Sequence, residues 1–235
     1  MRKMLVSTTV VAMAGGILIG VPAAAEAAAY ACQGADKGVY NLCVYNQSGK
    51  TIKGKTFSKG QNGILIRNSS NITISGNVFK NLKGSKGYAG VHVKESTGIT
   101  IKGNTFTKLS NVGHMHGVYM YRTTNSRITG NKFSYITGDA VRLRDRSSNN
   151  TVDKNTITRS GKFGAISEWG QLAPIGSEKC GTGNVFKNNK YGNSYANKKL
   201  AMIKWGGKGG GKAGPLTWNN CKKASIKNGG GNKKI

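Results

Sequence analysis

The chain has 235 residues, with 36 lysines and arginines against 8 aspartates and glutamates, and a formal net charge of +28. So few carboxyl groups argue against chemistry that gathers several of them, such as the paired acids of glycoside hydrolysis or the carboxylate cage of a calcium site. A cationic surplus on this scale repels itself and draws polyanions toward the surface.

Met1-Arg2-Lys3 precede an apolar stretch from Met4 to about Val21, followed by Ala23-Ala24-Ala25 and Ala27-Ala28-Ala29, the layout of a secretory signal peptide. Residues 1–28 are therefore expected to be removed, leaving 34 basic and 7 acidic residues, a net +27. No other apolar stretch is long enough to span a membrane. The expectation is a soluble, secreted, monomeric chain with one domain over residues 29–205 and a Gly/Lys-rich cap and tail over 206–235.

From about residue 50 to 190 two short motifs recur together. One is small-Asn-x-aromatic: Gly76-Asn77-Val78-Phe79, Gly103-Asn104-Thr105-Phe106, Gly130-Asn131-Lys132-Phe133 and Gly183-Asn184-Val185-Phe186. The other is a four-residue strand beginning at Gly63, Gly90, Gly117, Ala140 and Gly164, at intervals of 27, 27, 23 and 24 residues. Intervals of that size belong to solenoids, and the period-two alternation makes each copy a rung of strands and turns. The predicted fold is all-β, a single-domain right-handed parallel β-helix. Ile72, Ile74, Ile99, Ile101, Ile128 and Val152 should fill its bore, Phe57, Phe79, Phe106, Phe133 and Phe186 should stack as one column, and Asn77, Asn104, Asn131 and Asn155 should form an amide ladder. These residues hold the coil together and receive no catalytic role.

The stretch from Gly206 to Ile235 contains Gly207-Lys208-Gly209-Gly210-Gly211-Lys212 and Asn228-Gly229-Gly230-Gly231-Asn232-Lys233-Lys234, read as loose, solvated chain around an anchor at Leu216–Cys221. Four cysteines in an exported chain are expected to pair. Three connectivities are open; Cys32 with Cys43 and Cys180 with Cys221 is preferred, because it staples each end of the stack, where strand edges need covering. No metal-ligand spacing accompanies them.

The pleat of the recurring strand sends Ile64/Ile66, Val91/Val93, Val118/Met120 and Val141/Leu143 inward. Outward at the third position stand Leu65, His92, Tyr119, Arg142 and Ile166, and at the fifth Arg67, Lys94, Tyr121, Arg144 and Glu168. Connections entering the second and third of these strands add Tyr88, His114 and His116 at the edge. An exposed solenoid face must hold polar residues in any case, and a chain this basic must place its cations somewhere. A face with no task would, however, show the Thr, Ser, Asn and Lys used freely elsewhere. Histidine and tyrosine amid cations suit proton transfer, and arginine or lysine suits carboxylate neutralisation. Uronate polysaccharides are cut in this manner by β-elimination: the C6 carboxylate is neutralised, C5 loses its proton and O4 gains one. Glu95 and Asp145 share their column with Arg122 and read as ion-pair partners. Nucleic acid is disfavoured as a partner, since no nucleic-acid motif accompanies the charge.

The tandem Gly-Asn-x-Phe turns with Ile-Thr-Ile and Gly-Val-x-Val strands resemble the right-handed parallel β-helix repeats of polysaccharide lyases and related secreted proteins. In size, export signal, basicity and a His/Tyr/Arg/Lys face, the chain is further similar to small secreted bacterial hyaluronan-degrading enzymes of the hyaluronate lyase type, without the acidic metal cluster of calcium-dependent β-helix lyases. The resemblance implies a secreted lyase, hyaluronan first; the missing carboxylate cluster adds the expectation of no metal, and no cofactor is expected. Within the column, Tyr119 and His116 are assigned as the base and acid pair in either order, His92 as the alternate, and Arg142 as carboxylate neutraliser. Lys94, Tyr121, Arg144 and Arg67 are assigned to neighbouring sugars. The competing reading is a non-catalytic β-helix module that adheres to polyanions.

Overall fold

A computed structural model describes residues 30–111, 114–171, 176–205, 208–210, 215–217, 221 and 225–235. The signal-peptide expectation for residues 1–28 and the proposed anchor residue Trp218 lie outside the described residues.

The chain winds as a parallel β-helix of three seven-stranded sheets, with every pairing within those sheets parallel. The front sheet contains Tyr40–Tyr45, Asn62–Arg67, Ala89–Lys94, His116–Tyr121, Val141–Arg144, Gly164–Trp169 and Ala201–Trp205. The second sheet runs from Thr51–Lys53 to Ile226–Asn228, and the third from Thr56–Phe57 to Lys233–Lys234. Alternation drives this arrangement: Ile64, Val91, Val118 and Val141 of the front sheet and Ile52, Ile74, Ile101 and Ile128 of the second are all buried in one core.

Phe57, Phe79, Phe106 and Phe133 stack face to face, with centroids 4.9, 4.7 and 4.8 Å apart. Glycine at the start of the front strands makes room for them. A Cβ at Gly63 would lie 2.5 Å from Phe79 Cδ1, and one at Gly117 2.6 Å from Phe133 Cδ1. Phe186 does not join this column. It pairs with Val152 in the second sheet, and the Phe column continues instead through Ile157 and Tyr191. The reason is that Asn-x-apolar occurs at both bends of the coil: Asn184 and Asn189 are spaced as Asn150 and Asn155 are, so Asn184 occupies the earlier bend and Asn189 the later one.

At the later bend Asn104 donates from Nδ2 to Asn131 Oδ1 (3.0 Å) and to the Ile74 carbonyl (2.9 Å), while its own Oδ1 accepts the Asn77 N–H (2.8 Å). The ladder passes through Asn155 and Asn189 to Asn232, to which Asn189 Nδ2 donates (3.1 Å). Asn232 corrects the reading of the final residues as loose chain. Gly231-Asn232-Lys233 is one more copy of the bend, and Ile226–Asn228 and Lys233–Lys234 add strands to the second and third sheets. A parallel, shorter ladder joins Ser126, Asn150 and Asn184 at the other bend. Both ends are stapled by the preferred disulfides, Cys32–Cys43 and Cys180–Cys221.

Candidate functional site

Register fixes the outer face of the front sheet. Leu65, His92, Tyr119 and Arg142 stand side by side in successive strands, as do Arg67, Lys94, Tyr121 and Arg144. The next strand departs from the sequence expectation by one residue. Ile166 pairs with Val141 and is fully buried inward, Ser167 takes the place beside Arg142, and Glu168 also turns inward. Counting four residues from Gly164 puts Ala165 level with the core valines, but the bulkier Ile166 fills that volume. Leu65 likewise is not solvent-facing: it lies in register with Cys43 of the N-terminal disulfide and is fully buried.

A cleft of about 560 Å³ runs along this face, lined by Tyr40, Tyr88, His92, Tyr119, Arg144 and Glu178 among others. Six of the eight side chains assigned from sequence line it: His92, Tyr119, Lys94, Tyr121, Arg144 and Arg67. His92 is central. Its Nδ1 lies 2.6 Å from Tyr40 Oη, its ring meets Tyr119 edge-on at 4.8 Å between centroids, and its buried Nε2 has no hydrogen-bond partner. Burial, reinforced by Lys94 and Arg67, holds its pKa down to about 3, so the ring is uncharged at neutral pH. Burial, with Asp36 nearby, raises the Tyr40 pKa and keeps that phenol protonated.

Arg144 donates from Nε to both oxygens of Glu178 (2.9 and 2.8 Å) and from a terminal nitrogen to Tyr119 Oη (3.1 Å). It therefore acts as a bracket that positions the Tyr119 oxygen. Arg67 pairs with Asp36 at 3.5 Å. Lys94 forms no ion pair with a described residue; its ammonium lies 5.8 Å from the Tyr121 ring centre, and burial followed by Arg67 lowers its pKa. Arg122 bonds both Glu95 and Asp145, as their shared column implied.

His116 and Arg142 do not line the cleft. His116 is buried, with Nδ1 accepting the Asp139 N–H (2.9 Å), and burial with Arg142 holds its pKa to about 3. Arg142 is 6% exposed, donates to Asp139 Oδ2 (2.6 Å) and Ser167 Oγ (2.7 Å), and packs against Phe163 and Trp169. Asp139 is the hub of this second cluster. It also accepts N–H groups from Lys162, Phe163 and Gly164, and its pKa is lowered to about 2, with Arg142 and His116 outweighing its burial. The expectation that Arg142 is an open carboxylate reader is thereby corrected: its charge is already spent on a buried aspartate beneath two aromatic rings.

The sequence missed Tyr40 and Glu178. Tyr40 precedes the first recognisable repeat, and Glu178 sits in a non-repeating connection; only the pairing of an isolated acid with Arg144 could have flagged it.

Residues 12–223 match the family model described as periplasmic copper-binding protein (NosD). No curated protein matches the chain. Among solved structures, DFA-IIIase from Arthrobacter chlorophenolicus A6 in complex with GF2 superposes with a TM-score of 0.54 at 13% identity, covering 83% of this chain and 52% of that one. A mutant of the periplasmic alginate epimerase AlgG gives 0.50 at 14%, covering 83% and 48%. The chain thus spans about half the length of these structures, and the likeness is one of fold.

Proposed function

This chain belongs to the NosD family, and from that fold and the cleft on its front sheet we propose a polysaccharide lyase, acting on a uronate-containing acidic polysaccharide, hyaluronan first, by β-elimination. The observation that carries the reading is the neutral, half-unpartnered His92 set edge-on to Tyr119, with Lys94 on the same strand. In the reaction, Lys94 faces the C6 carboxylate and stabilises the charge that grows as C5 loses its proton. His92 takes that proton at Nε2, in the tautomer whose Nδ1–H is donated to Tyr40 Oη, a step that requires the seated sugar to displace the side chains that cover this nitrogen. The C4–O4 bond breaks as the C4–C5 double bond forms, and Tyr119, held at its oxygen by Arg144, gives its proton to the departing O4. His92 and Tyr119 are neighbours, so the captured proton sits beside the phenol that must be reset. The pairing of Tyr119 with His116 gives way to Tyr119 with His92 because His116 lies outside the cleft, and Tyr121, Arg67 and Arg144 remain as sugar-binding candidates.

Support for a sugar substrate also comes from the neighbours, one a DFA-IIIase in complex with GF2 and the other an alginate epimerase. Two disulfides and a family described as periplasmic support export to an oxidising compartment.

The family description also names copper, and the residues here do not fit it. His92 Nδ1 is held by Tyr40, His116 Nδ1 accepts a backbone N–H, Met115 and Met120 are core side chains, and all four cysteines are bridged. Among the described residues no three His, Cys, Asp or Glu are grouped to hold a metal.

The test is ultraviolet absorbance of unsaturated uronate on mixing the chain with hyaluronan, alginate, pectate and chondroitin sulfate, with and without a chelator. Chelator-resistant absorbance that disappears in His92→Ala supports the lyase. Tight binding without absorbance on any of the four would leave a polyanion-binding module.

A further inference from the structure

The third sheet carries a second outward column that the front-sheet chemistry does not use. Register pairs Thr107 with Ser134 and Ser134 with Thr158, and Leu109 with Ile136 and Ile136 with Ser160, so the residues between them, Lys108, Tyr135 and Arg159, stand in one row on three successive rungs. All three have left-handed backbone, with φ of 54°, 55° and 46°. Asn81 precedes them in the same conformation (φ 57°). Asparagine adopts it readily, whereas a bulky tyrosine there is an outlier that local propensity does not favour. Lys108 and Tyr135 are exposed, Tyr135 to 46%.

Beside this row lies a cavity of about 500 Å³ lined by Asn111, Thr137, Lys162, Tyr195, Lys198 and Lys199 among others. Arg159 connects the two. Its guanidinium lies 5.6 Å from the Tyr135 ring centre and donates to the Tyr195 carbonyl (3.4 Å), while its buried Nε has no partner. Tyr135 and Tyr195 are two of the four exposed large hydrophobic side chains among the described residues. Every ion pair between described residues uses an arginine, so these lysines carry no carboxylate partner among them.

We propose that Lys108, Tyr135, Arg159, Lys162, Tyr195 and Lys198–Lys199 form a second binding surface, for a stretch of acidic polysaccharide remote from the bond being cut. Tyrosine rings offer platforms for pyranose faces, and the interleaved cations meet the carboxylates. Rungs are spaced at ~4.8 Å, near the length of one pyranose unit, so successive sugars meet successive side chains. The identity of the ligand rests on the proposed function; the surface itself does not. Its task would be to keep a long polymer on the protein while the front cleft works.

The experiment measures binding of high-molecular-mass hyaluronan by affinity electrophoresis in the Tyr119→Phe background, and turnover of a short hyaluronan oligosaccharide in the otherwise native chain. Tyr135→Ala with Tyr195→Ala, and separately Lys198→Ala with Lys199→Ala, should each weaken polymer binding about tenfold, from the loss of two aromatic platforms or of two cations. Oligosaccharide turnover should stay unchanged. Lys53→Ala with Lys102→Ala, the same charge removed from the second sheet, should leave binding intact. Tyr135→Gly should lose binding while raising the thermal midpoint, a combination that misfolding cannot produce. Equal weakening by the Lys53/Lys102 control, an unimpaired tyrosine double variant, absence of polymer binding, or equal binding of charge-matched single-stranded DNA through the same residues would each overturn the surface. Polymer that binds here and is never cleaved would instead overturn the lyase and leave the surface standing.

Discussion

The outer faces of the front and second sheets are built from the same pleated strands in the same stack, yet they carry opposite kinds of residue. On the second sheet Thr51, Thr73 and Thr100 share one column and Lys53, Ser75 and Lys102 another, all exposed or half-buried. That is what a solvated solenoid face requires. On the front sheet Leu65, His92, Arg142 and Ser167 are buried though they point out of the coil, because the N-terminal segment and the connections entering the strands rise around them. The difference shows that the coil sets position while its connections set environment. Two histidines held near pKa 3 and a tyrosine pushed upward are the chemical signature of that added wall.

The largest expected contrast is catalytic. Tyr119→Phe should lower turnover on hyaluronan by about 10² to 10⁴ with no change in thermal midpoint, whereas Thr100→Ala on the second sheet should alter neither. Near-native turnover by the Phe variant would remove the front cleft from the chemistry.

Next is stability. Arg142→Ala strands Asp139 in the interior and should cost about 3–5 kcal/mol in urea unfolding, against less than about 0.5 kcal/mol for Lys102→Ala. Similar values for the two would mean that the front face is no more buried in its energetics than the second. Reducing the disulfides sharpens the same point at the chain ends. Loop closure assigns about 4 kcal/mol to Cys180–Cys221 and about 3 kcal/mol to Cys32–Cys43, so serine replacement of the former pair should shift the urea midpoint more.

A smaller effect distinguishes the faces by pH. The folded pKa values of His92 and His116 lie below the ordinary 6.5, so the unfolded chain binds more protons between about pH 3 and 6.5. The stability is fully present above pH 6.5 and falls as pH drops, by up to about 1.4 kcal/mol per pH unit for each ring. Asp139, lowered to about 2 from 3.8, loses its contribution only below pH 3.8. His92→Gln should reduce the slope between pH 6 and 4; an unchanged slope would show that the ring is solvated.

Most of the coil was legible from sequence because its determinants are periodic: Ile74, Ile101 and Ile128, or Phe79, Phe106 and Phe133, recur with the rung. Phe186 was misplaced because its motif serves two bends, and only the distance from Asn184 to Asn189 distinguishes them. The site was legible as direction but not as depth. Alternation sent His92 and Arg142 outward correctly, yet nothing periodic told that Phe163 and Trp169 would close over Arg142, or that Glu178 would arrive from a loop to hold Arg144. Ile166 and Ser167 show the remaining weakness. Where a strand begins with two small residues, pattern alone allows either phase, and packing volume decides.

The amide ladder takes steps of 27, 27, 24 and 34 residues from Asn77 through Asn104, Asn131 and Asn155 to Asn189, yet the separation between its bend and the preceding one is the same at Asn150 and Asn184. Variation in coil length is thus confined to the rest of the turn, where the walls of the cleft are made. An insertion before His116 or after Trp169 would remodel the cleft while leaving the coil in phase, whereas a single residue added between Asn150 and Asn155 would put the inward and outward side chains of that strand out of phase with its neighbours. The molecule is therefore tolerant of invention along one corner and intolerant along the other, so new specificities can be built into the cleft without rebuilding the coil that carries it.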